Sequence, residues 1–379
     1  MMQNSQMERA QKKNIINDLG KKMVFITGPR QVGKTWLAKE IALLYPQSVY
    51  LNYDSTGDRR IIKEEAWLED TDLLILDELH KMKGWKNYLK GVYDTKPSTM
   101  MILVTGSARL EAFRQQGDSL AGRFFRHRLL PFSPAEVNHV GEFVDPTFSL
   151  TRGGFPEPFL ADNPIDADRW RMQYIDGLIR NDILDFERIQ EFKAIQLILE
   201  LLRSRTGSPV SYQSIAEDVS ISPNTVKKYI QILESLFIIF KVTPYSRNIA
   251  RSVLKTPKIY FYDTGMVKGD EGAIFENMVA ICLLKHVYAR VDLEGKPASL
   301  HYVRTKDGAE VDFCLILDNI PELLIEVKRS EAQPSRALIN FSKRYDIPAT
   351  QLVLHLKRER MDRGIRICQG MKYLASLRP

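Results

Sequence analysis

The chain has 379 residues, enough for two or three domains, with a hydrophobic fraction of 44% and a formal net charge of +7. The first twenty residues lack the apolar core of a signal peptide, and no stretch approaches the roughly 18 uninterrupted apolar residues of a membrane-spanning helix. Three widely separated cysteines argue against a disulfide framework and a zinc site. We therefore expect a cytoplasmic protein without a membrane span.

Alternating strands and helices are predicted over residues 21–140, after a leading helix in residues 1–20. The predicted strands are 23–27, 48–52, 73–77 and 101–105, with a fifth near Phe125–Leu130. Strands that alternate with helices are typical of a parallel sheet. We therefore expect an α/β domain, which we assign to residues 1–150.

The first predicted strand and the helix after it flank GPRQVGKT at residues 28–35, a complete G-x-x-x-x-G-K-[ST] phosphate-binding loop. Gly28 and Gly33 let the backbone curl so that its N–H groups point at phosphate oxygens. Lys34 supplies a positive charge for the β- and γ-phosphates, and Thr35 a hydroxyl for Mg²⁺. We expect ATP and Mg²⁺ as cofactors, with nucleotide bound by Gly28, Pro29, Arg30, Gln31, Val32, Gly33, Lys34, Thr35 and Trp36.

Two further strand ends carry polar residues. Residues 72–78 read DLLILDE, in which Asp77 is placed to hold Mg²⁺ and Glu78 to polarise the attacking water. The strand at 101–105 runs into Thr105-Gly106-Ser107, where a small hydroxyl residue could sense the γ-phosphate, and Ser107 is the preferred candidate. A plain turn or cap residue is the alternative there.

A helix, a tight turn, a second helix and a strand are predicted over residues 211–242, the outline of a winged helix-turn-helix. Around it, the window Arg203–Lys258 contains nine Lys and Arg residues against three acids. A local basic surface suggests a polyanion such as DNA. Candidate contacts at the start of the second helix are Asn224, Thr225, Lys227 and Lys228. A packing or protein-contact module is the alternative for this helical region, residues 151–258.

The final region, residues 259–379, predicts a helix carrying Glu276, then a strand with Asp312 and another with Glu326 and Lys328. This E…D…E-x-K series is typical of metal-dependent nucleases with a mixed sheet. Asp312 and Glu326 could hold Mg²⁺, and Lys328 shares the face of Glu326 because strand side chains alternate. The alternative is a nuclease-like α/β fold without activity, in which Lys328 neutralises the acids.

Several motifs occur in a fixed order: GPRQVGKT, LLILDE, VTGSARL, AGRFFRHRLLPFSPAE, GGFPEP, YDTG, FEN and EVDF…IEVK. This series resembles the bacterial and archaeal AAA+-type ATPases with a C-terminal DUF4143 region. The resemblance implies a P-loop fold, ATPase chemistry and a homo-oligomeric ring, with a hexamer favoured. It also implies that Arg123 or Arg126 could reach a neighbouring nucleotide and that Arg152 could act as a sensor in cis. Trp36 stands where the family often has a smaller residue, and we expect it to pack inside the first helix.

The leading functional hypothesis is a Mg²⁺-dependent ATPase that acts on DNA in repair, recombination or defence. Because Glu78 is placed to activate water, turnover is favoured over a pure nucleotide switch. The alternatives are a nucleotide-switched signalling or scaffold ATPase that binds protein partners, and an ATP-gated nuclease. Guanine specificity is disfavoured, since the sequence contains no [NT]-K-x-D element.

Overall fold

The computed structural model describes residues 8–106, 120–137, 148–183, 189–246, 256–305, 307–330 and 333–378. They form two compact units, Glu8–Leu130 and a second unit from Pro131 onward.

A parallel sheet of five strands forms the centre of the first unit. Its strands are β1 (Met23–Thr27), β2 (Ser48–Asn52), β3 (Leu73–Asp77), β4 (Met101–Gly106) and β5 (Phe124–Arg128). They lie in the order β2-β3-β4-β1-β5. Its helices are α1 (Lys12–Leu19), α2 (Lys34–Ala42), α3 (Thr56–Glu64) and α4 (Trp85–Thr95). The predicted parallel α/β fold is confirmed. Every residue of β1 and β3 is buried, as expected for strands covered on both faces.

The strand register brings three chain segments to one edge of this sheet. Thr27 at the end of β1 pairs with Gly106 of β4, and Asp77 at the end of β3 pairs with Thr105 of β4. Because the strands are parallel, their carboxyl ends meet at the same edge, where ligands of open α/β sheets bind.

The second unit begins with helices. These are α5 (Pro134–Val137), α6 (Phe148–Arg152), α7 (Pro156–Leu160), α8 (Pro164–Ile183) and α9 (Ile189–Ser204). Two shorter helices, α10 (Tyr212–Val219) and α11 (Pro223–Ser235), follow and are joined by a tight turn. Each begins at a serine whose side chain accepts a hydrogen bond from the backbone N–H three residues on, at Ser211 and Ser222.

A mixed sheet of eight strands forms the rest of the second unit. Its strands are β6 (Ile239–Pro244), β7 (Lys258–Phe261), β8 (Ala298–Arg304), β9 (Glu310–Leu317), β10 (Ile320–Lys328), β11 (Ala349–Val353), β12 (Arg360–Asp362) and β13 (Ile365–Gln369). Their order is β12-β13-β11-β10-β9-β8-β6-β7. The strands β8, β9 and β10 form an antiparallel meander, and β10 pairs with β11 in parallel. The predicted α/β character of this region is confirmed.

Three helices accompany the mixed sheet: α12 (Glu271–Glu294), α13 (Arg336–Tyr345) and α14 (Gly370–Ser376). Within the described ranges, α12 is the one helix long and apolar enough to cross a membrane. However, 67% of its most apolar window is buried inside the fold. It contacts β7, β8 and β10, so its apolar character is that of a core helix.

The tightest backbone approach in the first unit lies where β1 enters the following loop. Gly28 has φ +148°, and a Cβ atom there would lie 2.1 Å from the carbonyl oxygen of Leu129. Only glycine therefore fits without moving the backbone. By contrast, Gly91 lies within α4, and a Cβ atom there would meet no heavy atom within 4 Å.

We predict opposite effects for alanine at these two glycines. Gly28→Ala should destabilise the protein by about 2 kcal/mol or more, because it adds both strain and a clash. Gly91→Ala should stabilise it by about 0.5–1 kcal/mol, since alanine restricts the unfolded chain and favours the helix. Urea midpoints of the two variants and the wild type measure both effects. Equal midpoints for Gly28→Ala and wild type would contradict the close approach.

Candidate functional site

The phosphate-binding loop follows β1 at the sheet edge. Gly28, Gln31 and Gly33 all have positive φ, with values of 148°, 58° and 95°, so the backbone curls on itself before α2 begins at Lys34. The first N–H groups of α2 have no partners within the helix and face the loop, and the helix dipole adds partial positive charge there. The loop therefore forms the anion cradle that its motif predicts.

Lys34 is buried within this loop. Its Nζ donates hydrogen bonds to the carbonyl oxygens of Gly28, at 3.0 Å, and Pro29, at 2.5 Å. Burial lowers the pKa of Lys34 to about 8, although Glu78 and Asp77 act in the opposite direction. The ammonium is thus held by neutral carbonyls alone and can exchange them for phosphate oxygens.

Asp77 is buried at the end of β3 and accepts three hydroxyl hydrogen bonds. Thr35 and Tyr50 donate to its Oδ2 at 2.8 and 2.7 Å, and Thr105 donates to its Oδ1. Burial and the bond to Asp77 raise the pKa of Tyr50, so this side chain stays a hydroxyl donor. The Thr35 hydroxyl and the Asp77 carboxylate are the hard oxygen ligands that Mg²⁺ prefers, so these residues fit the ion.

Glu78 follows Asp77 directly and adopts a left-handed backbone conformation with φ 55°. Its Oε2 lies 3.4 Å from His80 Nε2 and 3.9 Å from Lys81 Nζ, and Lys81 also binds Asp54 at 2.5 Å. Burial raises the pKa of Glu78, with Lys81 and Lys34 opposing the shift. A carboxylate with a raised pKa is a better proton acceptor, which suits the predicted role beside an attacking water.

Sequence reasoning missed three residues of this site. Tyr50 and Thr105 bind Asp77, and the fully buried Arg9 donates to the carbonyls of Leu130, at 3.0 Å, and Val32 in the loop. Arg9 and Leu130 are 121 residues apart, so no local pattern could have paired them. Thr105 could have been found, because it stands in the same strand-end triplet as the preferred sensor candidate Ser107. Ser107 itself lies outside the described residues.

The expectation that Trp36 packs inside α2 is wrong, since 42% of its surface is exposed. The buried face of this helix consists of Lys34, Leu37, Ala38 and Ile41, at spacings of three and four residues. Residue 36 falls on the opposite side of a helix with that buried face.

Arg123 and Arg152 each bind a partner within their own unit. Arg123 forms a bidentate pair with Asp94 of α4, at 2.8 and 3.0 Å. Arg126 lies half-buried on β5. Arg152 is buried in the second unit, where it donates to the carbonyl of Asn163 at 2.6 Å.

The structure brings the four C-terminal candidates together. Lys328 Nζ lies 2.7 Å from Glu326 Oε1, and the Val327 N–H donates to Asp312 Oδ2 at 2.9 Å. Burial, reinforced by the charge of Asp312, raises the pKa of both Glu276 and Glu326 to about 7. These shifts reflect acids packed closely together out of water.

A fifth residue, Lys258, stands among these acids and was missed by the sequence analysis. It is the first residue of β7 and is 1% exposed, and its Nζ lies 2.7 Å from Glu310, 3.4 Å from Asp312 and 3.5 Å from Glu276. Burial by itself would lower the pKa of Lys258, but these carboxylates raise it above its usual value. Across the described ranges, no group of three or more His, Cys, Asp and Glu side chains is arranged to hold a metal ion.

Three segments of the chain match models of known protein families. Residues 20–138 match an AAA domain, and residues 271–373 match a domain of unknown function, DUF4143. The AAA match contains the phosphate loop, Asp77 and Glu78. The chain combines an AAA-type P-loop ATPase domain with a C-terminal DUF4143 region. The family resemblance of its motifs is confirmed. Between the two regions, residues 147–269 of this AAA-type ATPase match another domain of unknown function, DUF8612.

Relatives of this AAA-type ATPase occur in bacteria and archaea. It is 24% identical to an uncharacterized protein of Mycobacterium tuberculosis, over 81% of this chain and 70% of that protein. It is 23% identical to an uncharacterized protein of Methanocaldococcus jannaschii, over 89% of this chain and 83% of that protein. Among solved structures, a Walker-type ATPase of Pyrococcus abyssi matches with a TM-score of 0.45 and 13% identity, over 72% of this chain and 96% of that chain.

We predict that nucleotide affinity falls above the pKa of Lys34. Below about pH 8 the Lys34 ammonium is present, whereas above it the side chain must take up a proton to bind phosphate. Affinity for ADP should therefore stay flat up to that pH and then fall by at most about tenfold per pH unit. Calorimetric titration across this range measures the profile.

Two variants serve as controls for this profile. Lys63→Ala removes an exposed lysine of α3 and should follow the wild type. Lys34→Ala should bind weakly at every pH. A wild-type profile that stays flat to about pH 9.5 would show that Lys34 does not titrate in this range.

Proposed function

We propose that this protein hydrolyses ATP in a Mg²⁺-dependent reaction at the phosphate loop of its AAA domain. The observation that carries the proposal is the meeting of Lys34, Thr35, Asp77 and Glu78 at one sheet edge. Thr35 hydrogen-bonds Asp77 directly, at 2.8 Å, across 42 residues of sequence. The loop, a metal-binding carboxylate and a water-activating carboxylate are the parts that phosphoryl transfer requires.

Each residue has a distinct task in this proposal. The loop N–H groups and Lys34 bind the β- and γ-phosphates, with Lys34 giving up its bonds to Gly28 and Pro29. Thr35 and Asp77 would hold Mg²⁺, while the Tyr50 and Thr105 hydroxyls keep the Asp77 carboxylate in a fixed orientation. When bound, Mg²⁺ neutralises charge on the phosphate oxygens.

Glu78 orients the attacking water and accepts its proton. Its Oε2 lies 3.4 Å from His80 Nε2 and 3.9 Å from Lys81 Nζ. These two contacts would hold the carboxylate beside the loop. Ser107 remains the proposed sensor of the γ-phosphate. Among the described residues, Thr105 carries the hydroxyl group at the same strand end.

We predict that the two key residues fail in different ways. Lys34→Ala should lose ATP binding and turnover together, because the buried cation of the phosphate loop is gone. Glu78→Gln should keep ATP affinity within about threefold of wild type but lower turnover by about a hundredfold or more, because only the step involving water is affected. Nucleotide titration and phosphate release measure the two quantities, with Lys63→Ala as the control. Normal turnover in Glu78→Gln would remove this residue from the mechanism.

The second part of the proposal is that the α10–α11 region contacts DNA. Val226, Tyr229, Ile230 and Leu233 form the buried face of α11, whereas Asn224, Lys227 and Lys228 are exposed near its start. Two lysines beside a helix N-terminus are suited to phosphate contacts. The strand pair β6 and β7 that follows would serve as the wing.

The basic window around this region is smaller than its composition suggests. Arg205 pairs with Asp218 at 2.7 Å, Lys241 pairs with Glu234 at 2.7 Å, and Lys258 is buried among acids. Arg203 binds Glu200 and the carbonyl of Met266. Arg247, Arg251 and Lys255 lie outside the described residues. Any DNA contact through described residues of this window therefore depends mainly on Lys227 and Lys228.

A homo-oligomeric ring, with a hexamer favoured, belongs to the same proposal and rests on the family resemblance. In such a ring the Arg123 guanidinium would have to leave Asp94 and bind a phosphate group of the nucleotide on the neighbouring subunit. A carboxylate and a phosphate can each accept two hydrogen bonds from one guanidinium. If α11 instead binds protein, the nucleotide-switched scaffold is the function that remains.

We predict that the double variant Lys227→Ala/Lys228→Ala binds DNA more weakly than the wild type. The plot of log affinity against log salt should become less steep by about two, one for each phosphate that the lysines no longer neutralise. Fluorescence anisotropy with a duplex at several salt concentrations, with and without ATP and Mg²⁺, measures it. Lys357→Ala/Arg358→Ala removes the same charge from an exposed loop and should leave the slope unchanged. If both double variants behave alike, α11 does not contact DNA and the scaffold function is favoured.

A further inference from the structure

The acid cluster of the DUF4143 region already contains a cation. The Lys258 ammonium faces three carboxylates, those of Glu310, Asp312 and Glu276, at 2.7, 3.4 and 3.5 Å. All three are ion-pair contacts, and the one with Asp312 is also a hydrogen bond that the ammonium donates. Three carboxylates around one buried ammonium also satisfy its charge.

Several oxygens of the predicted metal site already have partners within the protein. Asp312 Oδ2 accepts the Val327 N–H and Glu326 Oε1 accepts from Lys328, while Tyr260 donates to Glu276 at 2.7 Å. Among the described residues of this cluster, Glu326 Oε2 is the one fully buried oxygen without a hydrogen-bond partner. A divalent ion such as Mg²⁺, which requires octahedral oxygen coordination, would have to compete with the ammonium groups of Lys258 and Lys328 for these carboxylates.

Lys258 itself is closed to solvent, whereas the side chains of Glu276, Glu310 and Asp312 around it are 17–23% exposed. Lys258 is 1% exposed, and the ring of Tyr302 lies 5.5 Å from its Nζ. On another side, Gly207 approaches so closely that a Cβ atom there would lie 2.8 Å from Glu276 Oε1. A metal-dependent nuclease needs open coordination positions for water and for the phosphate being cut. These contacts leave no such opening at Lys258.

We propose that Lys258 is the resident cation of this acid cluster, in the place that a divalent ion would otherwise take, and that the DUF4143 region binds no catalytic metal. This inference goes beyond the proposed ATPase activity and is independent of it. Lys258 comes from β7, which precedes the α12–β10 segment that supplies Glu276, Asp312 and Glu326. The cluster thus joins β7 to that segment as a structural ion network. The nuclease alternative requires Lys258 to leave, which would expose three carboxylates to one another.

Mn²⁺ binding tests the proposal, and the loss of the EPR signal of free Mn²⁺ measures this binding. All proteins carry Asp77→Asn, so that the phosphate-loop site does not contribute, and no nucleotide is added. With Lys258 present, we expect no binding that depends on Asp312. Lys258→Met keeps the length of the side chain and removes its charge, and should create one Mn²⁺ site that is lost again in Lys258→Met/Asp312→Asn. Mn²⁺ should raise the thermal midpoint of Lys258→Met by several degrees and leave that of the Lys258 protein unchanged.

Two results would overturn the proposal. One is a Mn²⁺ site in the Lys258 protein that disappears with Asp312→Asn, because the ion would then displace the lysine. The other is a folded Lys258→Met protein without any Mn²⁺ site, because the acids would then not be arranged around a cation position. If Lys258→Met does not fold, the comparison of Lys258 proteins with and without Asp312→Asn decides alone. Plasmid nicking with Mn²⁺ on the same pair gives a second readout, and Asp312-dependent nicking would also refute the proposal.

Discussion

Buried charge is the constraint on which both units of this protein depend. A charged side chain taken out of water is costly unless oppositely charged or hydrogen-bonding groups surround it. In the first unit the buried charges include Arg9, Lys34 and Asp77, and the partners described for them are backbone carbonyls and hydroxyl groups. Neutral partners of this kind hold a side chain in place without cancelling its charge. In the proposed ATPase mechanism, the sheet edge therefore keeps a cation for phosphate and a carboxylate for a metal ion.

The second unit meets the same constraint with opposite charges. Lys258 lies among Glu276, Glu310 and Asp312, and elsewhere in the unit Arg171 is paired with Asp263 at 2.8 Å. Removing one member of such a set leaves the others buried and unpaired, at a cost of about 3–5 kcal/mol. A lysine that is already surrounded by carboxylates has little remaining attraction for an anionic ligand such as phosphate. The phosphate loop, whose Lys34 has neutral partners, is suited to exchanging those partners for a ligand. The Lys258 cluster, which has charged partners, is suited to holding strands and helices together.

The difference between paired and exposed charges also matters for the α10–α11 region. Arg205 and Lys241 are paired with acids of their own region, whereas Lys227 and Lys228 are exposed near the start of α11. A polyanion responds to the charges that are exposed at the surface, and composition alone does not give their number. Among its described residues, this basic window exposes its cations mainly near the start of α11.

The sequence by itself determined the features whose causes are local. An apolar run followed by a glycine-rich turn and a helix specifies β1, the phosphate loop and α2, because the backbone conformations and the amphipathic pattern are written within about twenty residues. The same holds for β3 with Asp77 and Glu78 at its end, and for the family resemblance that these motifs carry. The strands 23–27, 48–52 and 73–77 were predicted with the bounds that the structure has.

Only the tertiary structure decided which distant charges meet. Arg9 reaches Leu130 across 121 residues, Lys258 reaches Asp312 across 54, and Arg123 pairs with Asp94 across 29. Trp36 was misplaced for a related reason, since the face of α2 that is buried depends on what packs against it. Side chains far apart in sequence come together through strand order and register, which hydrophobic periodicity does not encode. A buried cation among acids therefore cannot be told from a metal site until the fold shows what stands between them.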